Sequence, residues 1–132
     1  AGGTGFAPIK AIVESALQEN AARPLYLYWG ARDRAGLYLH ELAAGWAERG
    51  AVGRYVPVLS EPLAADGWTG RTGLVHRAVM TDFADLAGHE VYACGAPAMI
   101  EAARRDLTEN CRLPNDGFFA DSFTFAADNL TP

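Results

Sequence analysis

Strand-like and helix-like stretches alternate along nearly the whole of this 132-residue sequence. Residues 8–20, PIKAIVESALQEN, place Ile9, Ile12, Val13, Ala16 and Leu17 at helical spacing. Pro8 suits the first turn of that helix, where a missing N–H costs nothing. PLYLYWGA reads as a buried strand from about Leu25 to Trp29, broken by Gly30. LYLHELAAGWAERG is a second amphipathic helix, with Gly50 placed as its C-terminal cap. RYVPVLS follows as a strand, and its Pro57 is expected near a sheet edge. GLVHRAVMTDF reads as a short helix, HEVYACGA as a strand, PAMIEAARRDLTEN as a helix opened by Pro97, and GFFADSFTF as a final extended segment. The alternation predicts an α/β fold, a doubly wound parallel sheet with crossover helices on both faces. Ligands of such sheets collect beyond the carboxyl ends of the strands. Four loops fall there: 2–8, 30–34, 60–62 and 94–97.

Length and charge narrow the function. The chain suffices for one domain, spanning 1–132, and is short for two. A net charge of −5 with no basic stripe argues against nucleic acid as partner. No apolar run approaches the roughly 18–20 residues of a membrane span, so no membrane partner is expected. Cys94 and Cys111 are expected as reduced thiols of a cytoplasmic protein. His40, His76 and His89 stand in no cluster with metal-site spacing, so no metal is expected and the histidines read as surface or satisfied core residues. The sequence opens on Ala1 with no signal peptide, which reads as a trimmed product or an excised domain.

The loop GGTGFAP is the sharpest chemical signal. Gly3 and Gly5 let the backbone approach a ligand closely, and Thr4 adds a hydroxyl. The following helix aims free N–H groups and its positive dipole end into the same space, as a pyrophosphate site requires. The spacing is not G-x-G-x-x-G, because Pro8 stands where the third glycine would be; the plain alternative is a strand-to-helix turn that merely needs glycine. CGAP at 94–97 repeats the pattern at a later strand end, where a lone cysteine is most simply a buried hydrophobe. No histidine lies in a context that would make Cys94 a nucleophile.

Taken in order, GGTGFAPI, LYLYWGAR, VPVLSEP, VYACGAPAMI and FFADSF resemble the pyridine-nucleotide-binding domain of the ferredoxin–NADP reductase superfamily. The similarity is greatest to NADH-dependent reductase components of bacterial multicomponent oxygenases and related flavodoxin and deoxysugar reductases, and it runs from Gly2 to about Phe123. The resemblance implies that Gly3, Thr4, Gly5, Ala7 and Pro8 carry the dinucleotide pyrophosphate. It places Cys94 and Gly95 beside the nicotinamide, with Cys94 positioning the reactive ring rather than attacking it, and brings Ala96, Pro97 and Met99 into the same contact. Gly30 and Arg32 belong to the coenzyme loop after the earlier strand. Phe123, with Phe119 as a further candidate, is implied near the flavin, and Asp121 near the hydride path.

Where NADP-using relatives resemble Ser-Arg, this chain has Ser60-Glu61-Pro62. A carboxylate there repels a 2′-phosphate and accepts from ribose hydroxyls, on the order of 1 kcal/mol, which favours NADH over NADPH. Arg32, Arg34 and Arg71 are the cations that would reach over and rescue NADPH. No flavin motif and no four-cysteine cluster motif occur, so FAD is expected from an N-terminal flavin domain of the parent chain, with a ferredoxin or oxygenase component as electron acceptor. Two rival readings remain at this point, a non-catalytic nucleotide-binding module and an FMN-binding flavodoxin-like carrier. The resemblance also implies strand order 3-2-1-4-5 with the first strand truncated at Ala1. That leaves a central slot to be filled by another segment or chain, an oligomer included.

Overall fold

The structure, a computed structural model, describes residues 1–20 and 23–122. Five strands and four helices alternate as β1 (Tyr26–Ala31), β2 (Arg54–Leu59), β3 (Arg71–Thr72), β4 (Val91–Gly95) and β5 (Phe118–Ser122), with α1 (Phe6–Gln18), α2 (His40–Glu48), α3 (Val75–Asp82) and α4 (Pro97–Asn110). All pairings are parallel: β1 with β2, β2 with β3, and β4 with β5. The two groups of strands are tied together by the first two residues. The amino group of Ala1 donates to the Tyr28 carbonyl at 2.6 Å, and Gly30 N–H donates to the Ala1 carbonyl at 2.8 Å. On the other side Gly2 N–H donates to the Cys94 carbonyl at 2.8 Å. Ala1 and Gly2 are therefore the end of a central parallel strand lying between β1 and β4.

Behind that stub, between β1 and β4, runs a cavity of about 330 Å³. Its walls are apolar on both faces of the sheet, with Ile9, Ile12 and Val13 of α1 on one and Val79, Ala103 and Leu107 of α3 and α4 on the other. The helices divide between those faces because strand side chains alternate. Leu27 and Trp29 join α1 and α2 in one core cluster, whereas Tyr28, Val56 and Val58 meet Val75 and Ala78 of α3. Ala93 and Phe118 pack with Ile100, Ala103 and Leu107 of α4.

One expectation needs correction. Pro57 lies in β2, which has neighbours on both sides rather than an edge position. It is tolerated because β3 pairs only with Val58 and Leu59, so at Pro57 the strand has β1 alone beside it. Arg104 and Arg105 are exposed on α4, and Arg104 also lies over the Phe118 ring at 4.6 Å. Gly50 performs as expected, with φ +74 one residue past the Arg49 cap of α2. Both cysteines are free.

Asp82, at the end of α3, fastens that helix to three strands. It accepts from the Tyr28 hydroxyl and pairs with Arg54 at 3.1 Å and Arg71 at 2.8 Å. Burial pushes its carboxyl pKa up, but the Tyr28 and Arg71 bonds outweigh this and hold it below the ordinary range. Burial and the Asp82 bond raise the Tyr28 hydroxyl to about 12. Asp82→Ala is expected to cost about 2 kcal/mol in urea unfolding, discounted for the half-exposed arginines. Because the folded pKa is lowered, this contribution is present above the ordinary carboxylate pKa and is lost as pH falls through the lowered one. A loss below about 0.5 kcal/mol at pH 7 would show the cluster to be decorative.

Candidate functional site

The loops predicted from sequence converge at the carboxyl ends of the strands. The GGTG segment forms a single 3-10 turn, Gly3–Gly5, leading directly into α1. Gly5 N–H closes the turn on the Gly2 carbonyl at 2.9 Å, and the Phe6 amide reaches the Gly3 and Thr4 carbonyls. The amides of Gly3 and Thr4 make no hydrogen bond among the described residues. Gly3 adopts φ +52, and a Cβ added there would meet nothing within 4 Å, so its outer side is open. Thr4 and Ala7 are exposed and Pro8 half-buried at the start of α1. Free amides, an open glycine face and a helix N-terminus form a cradle that fits an anionic diphosphate.

The inner side of the turn rests on the end of β4. A Cβ at Gly5 would stand 2.2 Å from the Cys94 carbonyl oxygen, and one at Gly95 would stand 2.4 Å from the Met99 methyl. The two glycine-bearing loops are thus in direct contact, with Met99 closing the space behind Gly2 and Gly95. Cys94 itself is only 3% exposed and packs in the cluster of Phe6 and Trp29. Burial raises its thiol pKa, so at neutral pH it is a protonated hydrophobe whose carbonyl organises the site. Ala96 and Pro97 are exposed at the mouth of α4, the proline occupying its first turn. Asp121 stands beside Cys94 in the β4–β5 register and is exposed. Phe119 stacks on Tyr92 with ring centroids 5.0 Å apart. Phe123 lies outside the described residues.

The other two loops are laced together by their backbones. Ser60 N–H donates to the Ala31 carbonyl at 2.9 Å, and Glu61 N–H to the Arg32 carbonyl at 2.8 Å. Arg32 faces Glu61 at 3.8 Å, both side chains largely in solvent. Arg34 is engaged with the Leu37 carbonyl and Glu41, and Arg71 with Asp82. Of the three arginines considered for a 2′-phosphate, two are therefore occupied and the third is opposed by Glu61. Gly30, half-buried, anchors this side to the cradle through its bond to Ala1. Asp66 accepts from the Arg34 amide at 3.2 Å and the Leu63 amide at 2.9 Å, tying 30–34 to the segment after Glu61. Its role was not foreseen, since contacts across 32 residues leave no local spacing signal.

Among the described residues no group of histidine, cysteine and carboxylate side chains is placed to hold a metal. His76 is buried with Nε2 2.8 Å from Asp106, and His40 Nδ1 lies 2.9 Å from the Tyr55 hydroxyl, so both are satisfied structurally. His89 packs against Tyr26 and Phe83, and its Nδ1 has no partner among the described residues. No described helix is long and apolar enough to cross a membrane.

The family described as the oxidoreductase NAD-binding domain matches residues 1–105, which contain the cradle and all four strand-end loops. The chain belongs to that family. This NAD-binding domain is 45% identical over 123 residues to the CDP-6-deoxy-L-threo-D-glycero-4-hexulose-3-dehydrase reductase of Yersinia pestis, covering 93% of this chain and 36% of the relative. It is 38% identical to the NAD(P)H-flavin reductase of Vibrio harveyi, covering 95% and 52% respectively. Among solved structures it superposes on the Amycolatopsis cytochrome P450 reductase GcoB with TM-score 0.82 and 33% identity, covering 96% of this chain and 37% of that one. The domain thus spans from about a third to half the length of the relatives it resembles. The expected α/β class and NAD-binding role hold.

Proposed function

We propose that this domain is the NADH-holding part of a flavin-dependent reductase whose electrons pass to an iron–sulfur or oxygenase-type partner. The observation that carries the reading is the Gly3–Thr4 cradle seated directly on the Cys94–Gly95 strand end. A dinucleotide anchored by its diphosphate at the first would lay its other end along the second. NADH supplies a hydride, and FAD on another domain of the parent chain is the group that would accept it. The chain's own residues bind and orient. Gly3 and Thr4 amides and the start of α1, at Ala7 and Pro8, neutralise the diphosphate. The exposed, low rim of Ala96 and Pro97 leaves room for a planar ring beside the strand end, while Met99 packs behind Gly95. Asp121 is exposed beside that rim and offers a carboxylate to its polar edge. Catalysis here is positioning, with no covalent step assigned to Cys94.

Ser60 and Glu61 set the coenzyme choice in this reading, Glu61 accepting from ribose hydroxyls while it opposes Arg32. Glu61→Ser removes the repulsion and frees Arg32 for a 2′-phosphate. The expected result is a fall of roughly tenfold in the kcat/KM preference for NADH over NADPH, measured with a dye acceptor in the full-length protein. A wild-type preference for NADPH sinks the Glu61 argument. Calorimetry tests the wider reading: micromolar-to-millimolar binding of NADH and ADP-ribose supports it, and tight FMN binding in their place overturns it. Nucleotide binding without any hydride transfer to flavin in the full-length protein supports a regulatory module instead.

A further inference from the structure

Trp29 is the one large side chain at the end of β1 that is wholly buried, yet it carries an N–H that must find a partner. That partner is the cradle itself: Trp29 Nε1–H donates to the Gly3 carbonyl at 3.0 Å. The indole is held rigidly for the purpose. It stacks flat on Phe6, centroids 3.9 Å apart and planes 8° apart, and the Tyr38 ring meets it edge-on at 5.3 Å. Gly3 lies in the left-handed region at φ +52, so its peptide orientation depends on what grips its carbonyl. In a trans peptide the C=O and the next N–H point opposite ways. Pulling the Gly3 carbonyl inward onto the indole therefore turns the Thr4 N–H outward, toward the open side of the turn. The Phe6 amide shares that carbonyl, but it moves with the loop, whereas Trp29 belongs to the sheet.

We propose that Trp29 is a positioning residue for the coenzyme, its indole N–H aiming the Thr4 amide at the diphosphate. The proposal rests on the cradle being the nucleotide site. Trp29 makes no ligand contact itself; it sets beforehand an orientation that the ligand would otherwise have to induce, and so acts on affinity rather than on the transfer step.

The test compares Trp29→Phe, which keeps a buried aromatic ring on Phe6 but deletes the donor, with Val52→Ala. Val52 is buried before the start of β2, at the opposite end of the sheet from the site. Both are made in the full-length protein and followed by thermal unfolding, NADH kinetics and ADP-ribose calorimetry. Losing one neutral hydrogen bond corresponds to a roughly 3- to 10-fold change. Trp29→Phe is expected to raise the ADP-ribose Kd and the NADH KM by that factor while kcat stays within about twofold. Val52→Ala is expected to lower Tm with KM unchanged. Equal KM in Trp29→Phe and wild type, or a KM rise in Val52→Ala that tracks its Tm loss, overturns the proposal. Failure of the wild type to bind ADP-ribose overturns the site reading as well, so the two failures are distinguishable.

Discussion

Placing five apolar, strand-forming residues ahead of Ala1 is expected to raise the melting temperature of this chain by roughly 10 °C. Two physical terms act together. Because strand residues alternate sides, the peptide groups of Tyr26 on β1 and Tyr92 on β4 face the slot with the bonded carbonyls of Tyr28 and Cys94, and an added strand would satisfy them. Finally, the 330 Å³ slot is apolar toward both sheet faces, so an inserted strand buries side chains on each. A combined gain on the order of 3 kcal/mol translates to the stated shift for a chain of this length. Equal stabilisation by five glycine and serine residues would show that the slot does not select an apolar strand.

How far the sequence disclosed this architecture depends on the range of the signal. The helices were legible because Ile9, Val13 and Ile100, Ala103, Leu107 recur at turn spacing and end up buried. β1 and β4 were legible as apolar runs ending at Gly30 and Gly95. β3 was not, since Arg71–Thr72 is extended only through its pairing with Val58 and Leu59. Pro57 misled for the same reason: a proline reports that an N–H is missing, not how far a neighbouring strand extends. At the site, the glycines of 2–5 announced an open cradle, but no local signal announced their seat on Cys94, a contact made across the sheet. Trp29 looked like one more core aromatic. Its bond to Gly3 spans 26 residues and depends on the parallel placement of β1 beside Ala1.

Gly5→Ala is expected to be far more damaging than Gly3→Ala, although both alter the same turn by one methyl group. At Gly3 the obstacle is conformational: φ is +52, but the added Cβ points into open space. The cost of left-handed backbone for alanine is about 1 kcal/mol, and the fold should survive it. At Gly5 the backbone is ordinary, φ −62 and ψ −5, and the obstacle is space. The methyl would lie 2.2 Å from the Cys94 carbonyl oxygen, 2.5 Å from its carbon and 2.8 Å from the Gly95 nitrogen. All three are main-chain atoms of a buried strand, with no rotamer to yield. The turn must lift away from β4, breaking the Gly2–Cys94 bond that closes the sheet and separating the cradle from the strand end it serves. A loss of about 3 kcal/mol or more is expected in urea unfolding, with NADH binding lost in the fraction that remains folded. Gly3→Ala should instead stay folded and weaken ADP-ribose, because its methyl occupies the open side where the diphosphate would lie. If Gly5→Ala proves within 0.5 kcal/mol of wild type, the cradle is not seated on Cys94. If Gly3→Ala binds ADP-ribose as tightly as wild type, the open face of the turn is not where the nucleotide sits.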